Sequence, residues 1–362
     1  MPGPDKLKVS EYVCDHIGLR VRVLADMQGR LVRLHLDPWS TRNKRAELGQ
    51  IWRGRVLNKE PGARGCLVDI GLKQPTFLQI NKTAPPNGAL VDVKIKSEAR
   101  FEKSAVSVLD NRASNIKLQS SDVGFLIEAA EDPFYIGVDV AGVIEGEEAA
   151  DIALEAIDEA LQTKCNLIGG GCIYVEPTRA LISVDVDAGN RINKGNRSQF
   201  AVETNLLAAD AIANKLSLSS LAGLVVIDFL KMTTKEHAIQ VPSAFEGALS
   251  KYLGRKSQLA RLSQFGILEV NIAHTFSPIP HIVASLDNGE WYALRFLREL
   301  ERQATGSRGA FFLCNVSQRI HRWLQASSIE WSKRLVERIG KRFEIVEDAT
   351  LEKSEFKIGP QK

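Results

Sequence analysis

Two short apolar runs that end in aspartate, 181-LISVDVDAGN-190 and 223-GLVVIDFLKM-232, constrain this chain more than any other feature. In the first, Ile182, Val184 and Val186 alternate with Ser183, Asp185 and Asp187. A period of two is the mark of a strand, so both carboxylates project from one face, about 7 Å apart along the backbone. The second run is apolar on both faces through Val225, Val226 and Ile227, which predicts a covered central strand, and it then presents Asp228. Between them, 198–217 reads as an amphipathic helix with Leu206, Ala209, Ala213 and Leu216 on one side. Strand, helix, strand at this separation predicts a right-handed parallel crossover, which brings Asp185 and Asp228 to neighbouring positions on one sheet. Carboxylates at the ends of buried strands, with no histidine or cysteine beside them, suit a hard oxygen-seeking cation, and magnesium is the first candidate. The bland alternative, aspartates that end strands or cap helices, explains any one of them but explains the run as a whole less well.

Length bounds the rest. A chain of 362 residues has room for two or three compact units, and 44% hydrophobic with 25% charged residues describes an ordinary soluble globular protein. A net charge of +3 permits a polyanionic partner without demanding one. Cys14, Cys66, Cys165, Cys172 and Cys314 are scattered, with no CxxC, so neither a disulfide framework nor a cysteine zinc site is expected. A reducing cytoplasm is the simplest compartment. No run reaches the ~18 apolar residues of a membrane span, and the N-terminus has no stretch of signal-peptide type. Walker loops, GxSxG elbows and close histidine pairs are missing, which argues against nucleotide-triphosphate work and serine nucleophiles.

Residues 7–46 read as a few strands, with a hairpin through Asp26 to Gly29. Five strand candidates follow, at 50–62, 66–72, 75–80, 89–98 and 105–110, broken by Gly, Pro and Asn; they predict a small closed barrel of the OB type. Arg53 and Arg55 share one face there while Trp52, Gly54 and Val56 take the other, and with Phe77 nearby they suit stacking and phosphate tracking along a single strand. A solvated face over a core phenylalanine is the competing reading. Residues 118–168 are acidic and weakly patterned apart from a helix near 147–162, with Leu154, Ile157 and Leu161 on one side. Gly169–Gly171 then open a hairpin whose second strand carries the aspartates. A helix over about 234–253, a strand at 267–273 and a linker at 275–290 come next. The last unit joins two or three helices to strands at 309–316 and 343–348 and is rich in Arg and Lys, including Arg319, Arg334, Arg338 and Arg342.

GQIWRGRVLNKEPGARGCLVDIGLKQPTFLQI, EPTRALISVDVDAGN, ETNLLAADAIANKLSLSSLAGLVVIDFLKM and SQFGILEV, in this order, resemble the ribonuclease E/G family over most of 20–275 and more loosely over 290–357. The resemblance implies an α+β fold. An OB-fold barrel (49–110) is inserted into a catalytic region that is RNase-H-like (N-terminal strands, 1–48, with a reduced 5′-sensor/RNase-H-like segment, 111–168) and DNase-I-like (169–275). A small α/β C-terminal domain (290–362) follows. It implies a magnesium-dependent endoribonuclease for single-stranded RNA, with Mn2+ as a substitute ion. By position Asp185 and Asp228 match the family's metal-binding aspartates, and Asp187 stands where asparagine is frequent. Phe77 and Lys103 match RNA-contacting positions of the barrel, while Leu67 replaces an aromatic. A metal-activated water attacking the phosphate would leave a 5′-phosphate and a 3′-hydroxyl.

The departures carry their own expectations. Residues 275–290 lack the family's CPxC segment, so neither zinc nor zinc-linked assembly is expected; a homodimer through the C-terminal unit is the remaining oligomer. The stretch 111–168 lacks the Arg-Thr pair of a 5′-monophosphate pocket. Gln264 stands in place of an arginine, and NIAHT follows where a basic run is customary, with Arg191 and Lys194 as candidate replacements for the lost cations. These losses leave open a second reading, a non-catalytic RNA-binding protein that retains the nuclease fold. A third, a structural or ribosome-associated factor, has no specific support.

Overall fold

The computed structural model describes residues 6–42, 44–60, 62, 64–80, 83–100, 103–110, 123–127, 132–189, 197–255, 257–286, 289–307 and 309–361. The chain divides into two compact units, one of Met1–Tyr12, Val23–His35 and Asn43–Ile279, the other of Val13–Arg22, Leu36–Arg42 and Pro280–Lys362. The architecture is mixed α+β. Among the described residues no helix is long and apolar enough to cross a membrane.

Three strands open the chain, β1 (Leu7–His16), β2 (Leu19–Asp26) and β3 (Leu31–Pro38), with the expected hairpin between the last two. The barrel follows as β4 (Ile51–Glu60), β5 (Gly65–Asp69), β6 (Thr76–Gln79), β7 (Leu90–Ser97) and β8 (Val106–Leu109). Its strands close in the order β4-β5-β6-β8-β7-β4, with β6 and β8 parallel and the other pairs antiparallel. This is a closed five-stranded barrel consistent with an OB-fold. Alternation is what closes it. Trp52, Val56, Cys66, Val68, Leu78 and Val93 point inward and are buried, while Arg53 and Arg55 take the outer face as the sequence predicts.

The acidic stretch holds more structure than its pattern announces. β9 (Gly124–Ile127) adds to β4 on the barrel, and β10 (Val138–Ile144) pairs in parallel with β1. α1 (Glu147–Leu161) forms as expected, but Ala149, Ala153, Ala156, Ile157 and Ala160 make its buried face, with Leu154 and Leu161 only half-buried. Small side chains let a neighbouring element approach closely, so the alanine stripe wins the packed side.

A six-stranded sheet carries the aspartates. It contains β11 (Lys164–Asn166), β12 (Cys172–Pro177), β13 (Ile182–Asp187), β14 (Gly223–Asp228), β15 (Gln258–Leu259) and β16 (Ile267–Ile272), in the order β11-β12-β13-β14-β16-β15. β13 and β14 are parallel, joined through α2 (Arg197–Leu218); β14 runs on through α3 (Lys235–Leu253). Val184, Val186, Val225, Ile227, Leu268 and Val270 form the covered face, packed with Ala209, Ile212 and Ala213 of α2 and with Val241, Phe245 and Leu249 of α3. The other face is open. Leu224 is 42% exposed and Val226 only half-buried, so β14 is central but covered on one side, contrary to its apolar pattern. α2 corrects the sequence reading in the opposite sense: it is buried almost all round from Thr204 to Ser219, not amphipathic. Its polar residues are spent inside. Asn214 donates to the Leu31 carbonyl at 2.9 Å, Lys215 to the carbonyls of Glu159 and Ala160, and Ser217 to that of Tyr252 at 3.1 Å. Buried donors satisfied in this way cost little and fix where each neighbour lies.

The expected linker is partly ordered. Ser277 donates from its N–H to Glu98 (2.9 Å) and from its hydroxyl to the Ala99 carbonyl (2.7 Å), and α4 (Ile279–Ser285) follows. In the second unit, α5 (Glu290–Gly306), α6 (Gln318–Ala326) and α7 (Trp331–Ile339) accompany a sheet of β17 (Phe311–Val316), β18 (Phe343–Glu347) and β19 (Phe356–Gln361), ordered β18-β17-β19. β19 escapes the sequence pattern because its Gly359 and Pro360 break it; both are tolerated on an edge strand. Much of this unit's basic charge is structural. Arg338 pairs with Glu301 at 2.7 Å, Arg342 caps the carbonyls of Ala304, Ser307 and Ala310, and Arg334 lies over the Trp39 ring at 4.7 Å.

His16, buried in this second unit, has its pKa pulled down to about 3, first by burial and then by Arg298 and Arg338. It therefore binds no proton in the folded state at a pH where the unfolded imidazole does, so stability falls as pH drops below about 6.5 toward 3. In a urea-melt series from pH 7 to pH 4, His16→Gln should lose less stability than the unmodified chain. A second outcome concerns the barrel, where a Cβ at Gly65 would strike the Phe77 ring and come within 2.6 Å of the Leu78 carbonyl oxygen. Gly65→Ala should cost about 1–3 kcal/mol in the same assay.

Candidate active site

The parallel crossover puts Asp185 directly opposite Asp228. The register runs Ile182–Val225, Ser183–Val226, Val184–Ile227, Asp185–Asp228. Partners in a parallel pair point the same way, so the two carboxylates leave the open face side by side from strands ~4.8 Å apart. Both residues are exposed, and among the described residues neither carboxylate is taken up by a hydrogen bond or ion pair. Asp187 lies two residues further along β13, also exposed, and its Oδ1 accepts the Gly189 N–H at 2.8 Å. The three carboxylates do not gather into one set: among the described residues, no group of three or more His, Cys, Asp or Glu side chains is placed to hold a metal ion.

Several backbone devices hold the pair in place. On the β13 side, Gly171 has φ +81°, and a Cβ there would lie 2.7 Å from the Asp187 carbonyl oxygen, so only glycine lets the hairpin close at this point. On the β14 side, Asn205 of α2 grips Leu230 twice: its amide donates to the Leu230 carbonyl at 2.8 Å and its Oδ1 accepts the Leu230 N–H at 3.0 Å. Leu230 is two residues beyond Asp228, so a buried helix side chain fixes the path along which the strand leaves. Sequence reasoning passed over Asn205. The available signal was an asparagine inside a helical run, where its propensity is poor unless a partner holds it. Across β14, the tight turn before β16 is set by the Ser263 hydroxyl, which accepts the N–H groups of Phe265 and Ile267, both at 3.2 Å.

The register extends to either side. Lys164 pairs with Tyr174, Tyr174 with Asp185, and Asp228 with Ile267, giving one row across five strands. The Lys164 ammonium stands 5.6 Å from the centroid of the Tyr174 ring, and its pKa is raised, mainly by a hydrogen bond to Tyr174 with a smaller pull from Asp187.

Two adjacent carboxylates with no competing partner fit a small divalent cation of magnesium type, which takes one or two carboxylates and completes its shell with water and phosphate oxygens. Asp185 and Asp228 would hold such an ion, and a zinc site of nitrogen and sulfur ligands is not what this donor set resembles.

On the barrel, Phe77 and Leu67 are register partners on the outer face, both half-buried, with the Phe77 ring over Gly65. Lys103 is exposed and pairs through its backbone with Arg100. Arg53 is engaged by Asp92 in a bidentate pair at 2.8 and 2.9 Å, whereas Arg55 is exposed and donates to the Gly88 carbonyl at 3.1 Å. Arg191 and Lys194 lie outside the described residues.

This geometry sits inside a stretch with known relatives. Residues 148–273, from α1 to the end of β16, match the model of the Ribonuclease E/G family. The chain is 34% identical over 158 residues to ribonuclease E of Haemophilus influenzae, covering 41% of this chain and 17% of that protein. It is 33% identical over 128 residues to ribonuclease G of the same organism, covering 35% and 26%, and 36% identical over 115 residues to ribonuclease E of Nostoc, covering 32% and 17%. The matches thus span between a sixth and about a quarter of these relatives' lengths. The similarity to the ribonuclease E/G family thus covers this stretch, and both Asp185 and Asp228 lie within it.

Truncating the Asn205 side chain should loosen the strand it clamps. Asn205→Ala strips two hydrogen bonds from a buried position and is expected to destabilise by about 1–3 kcal/mol in urea unfolding. Asn205→Asp, which sets a buried carboxylate against the Leu230 carbonyl oxygen, should cost at least as much.

Proposed function

We propose that this chain is a divalent-metal-dependent endoribonuclease that hydrolyses single-stranded RNA, leaving 5′-phosphate and 3′-hydroxyl ends. The observation that carries the reading is the side-by-side placement of Asp185 and Asp228 on the open face of the sheet, inside the segment that matches the family. Magnesium is the preferred ion, with manganese able to substitute. When bound, it would neutralise phosphate charge and lower the pKa of a water molecule. The chain's own residues supply the rest. Asp185 and Asp228 hold the ion, and Asp187, steadied by the Gly189 N–H, orients the attacking water. Phe77 offers a half-exposed ring to a base, and Lys103 and Arg55 supply cations to the RNA backbone. Arg53 already serves Asp92 and makes the weaker contact.

The same reading assigns 1–48 and 111–168 to an RNase-H-like region, 49–110 to RNA binding, 169–275 to a DNase-I-like catalytic subdomain and 290–362 to a small C-terminal domain suited to pairing two copies. It places the protein in the cytoplasm, in RNA processing or decay.

Incubation of the protein with end-labelled single-stranded RNA tests the proposal. Scission should occur with Mg2+, stop in EDTA, and fall on the order of a hundredfold or more in Asp185→Asn and in Asp228→Asn. RNA binding without scission under Mg2+ and Mn2+ would instead establish the non-catalytic reading that the Gln264 position favours. A second outcome follows from the stretch 111–168: RNAs with 5′-monophosphate and 5′-hydroxyl ends should be cut at similar rates, and a large preference for the monophosphate would refute this.

A further inference from the structure

The open face offers more than two carboxylates. On one flank, in the same cross-strand row, stands the Lys164–Tyr174 pair; Tyr174 is the register partner of Asp185, one strand away. On the other flank is Phe265, which is 78% exposed. It lies two residues before Ile267, the register partner of Asp228, in the turn fixed by Ser263 and pressed against β14, where Gly266 accepts the Phe229 N–H at 3.4 Å. From β12 to β16 the row spans three strand spacings, about 14 Å.

A large aromatic this exposed contributes nothing to the core, and the turn beneath it is held by the Ser263 hydroxyl and by the Gly266 carbonyl. Bases present flat apolar faces that stack on aromatic rings, and each nucleotide brings a phosphate that seeks a cation. Lys164 is the cation in the row, held over an aromatic ring beside the carboxylates. We infer that Phe265 and the Lys164–Tyr174 pair form a two-sided cradle for the nucleotides flanking the scissile phosphate. Phe265 stacks a base on the β16 side, while Lys164 takes a backbone phosphate on the β12 side with Tyr174 beneath it. Strand placement then confines the phosphate between them to the carboxylate pair. A duplex, with its bases already stacked on one another, has none to offer Phe265, so the cradle selects for unpaired RNA. The inference rests on the endoribonuclease reading for the identity of its ligand.

Binding of the full chain in EDTA tests it without any need for scission, using a short single-stranded oligoribonucleotide and a copy with base-free residues. Phe265→Ala should weaken binding of the normal oligonucleotide about tenfold and leave the base-free copy unaffected, with Phe265→Trp restoring the difference. Lys164→Gln should flatten the dependence of log K on log salt by about 0.7, and Lys164→Arg should restore it. Circular dichroism melts of these surface variants should match that of the unmodified chain. Unchanged affinity and salt slope, or equal weakening toward both oligonucleotides by Phe265→Ala, overturns the cradle. These effects in a protein that never cuts RNA would remove the nuclease reading and keep the cradle. Scission with Mg2+ combined with indifferent variants would remove the cradle alone. Failure of the unmodified chain to bind RNA would remove both.

Discussion

The parallel pairing of β13 with β14 is the constraint on which the rest of the site depends. Two strands joined by a helix have no hairpin turn to fix their register; it must come from packing. Here it comes from α2, which is buried nearly all round and whose polar side chains each grip a different neighbour. A slip of one residue would turn Asp185 into the core and bring Val184 or Val186 to the surface. The burial of Val184, Val186, Val225 and Ile227 makes that costly, on the order of 1.5–3 kcal/mol for each large apolar side chain displaced. The carboxylate pair is therefore set by a hydrophobic core that it does not touch.

That arrangement also explains why the open face is free to work. Because α2 and α3 both cover the same side of the sheet, the opposite side keeps Asp185, Asp187 and Asp228 exposed, with Lys164 and Tyr174 alongside. Two carboxylates this close repel one another, and no cation of the described chain neutralises them directly. A divalent ion, if bound there, would relieve that repulsion and so couple ion binding to the settled geometry of the site. On the barrel, elsewhere in the first unit, the register partners Phe77 and Leu67 set one aromatic beside one aliphatic side chain on the outer face.

Much of this was legible in the residues. The alternation at 182–187, the run at 223–228 and the five barrel strands are governed by local periodicity, and the structure reproduces them to within a few residues. Periodicity failed where the decisive partner was distant. α2 reads as amphipathic because Asn205, Asn214 and Lys215 are polar, yet all three are buried against carbonyls that lie 25 or more residues away. β9, β10 and β19 are short or interrupted strands that exist because a neighbour accepts them. Arg53 was legible as an outward cation, but its capture by Asp92, on a strand 39 residues later, was not.

The sequence by itself determined the local elements, the face from which each aspartate projects, and the oxygen-only chemistry they offer, because these follow from side-chain spacing and donor type. The parallel crossover that brings Asp185 and Asp228 onto neighbouring strands was also legible in the spacing; tertiary structure alone set their pairing residue for residue. It put Asp185 directly opposite Asp228 and left Asp187 apart on its own turn. It also decided that β14 is covered on one side only, because the number of layers packed on a sheet is a property of the whole core and is written in no single strand.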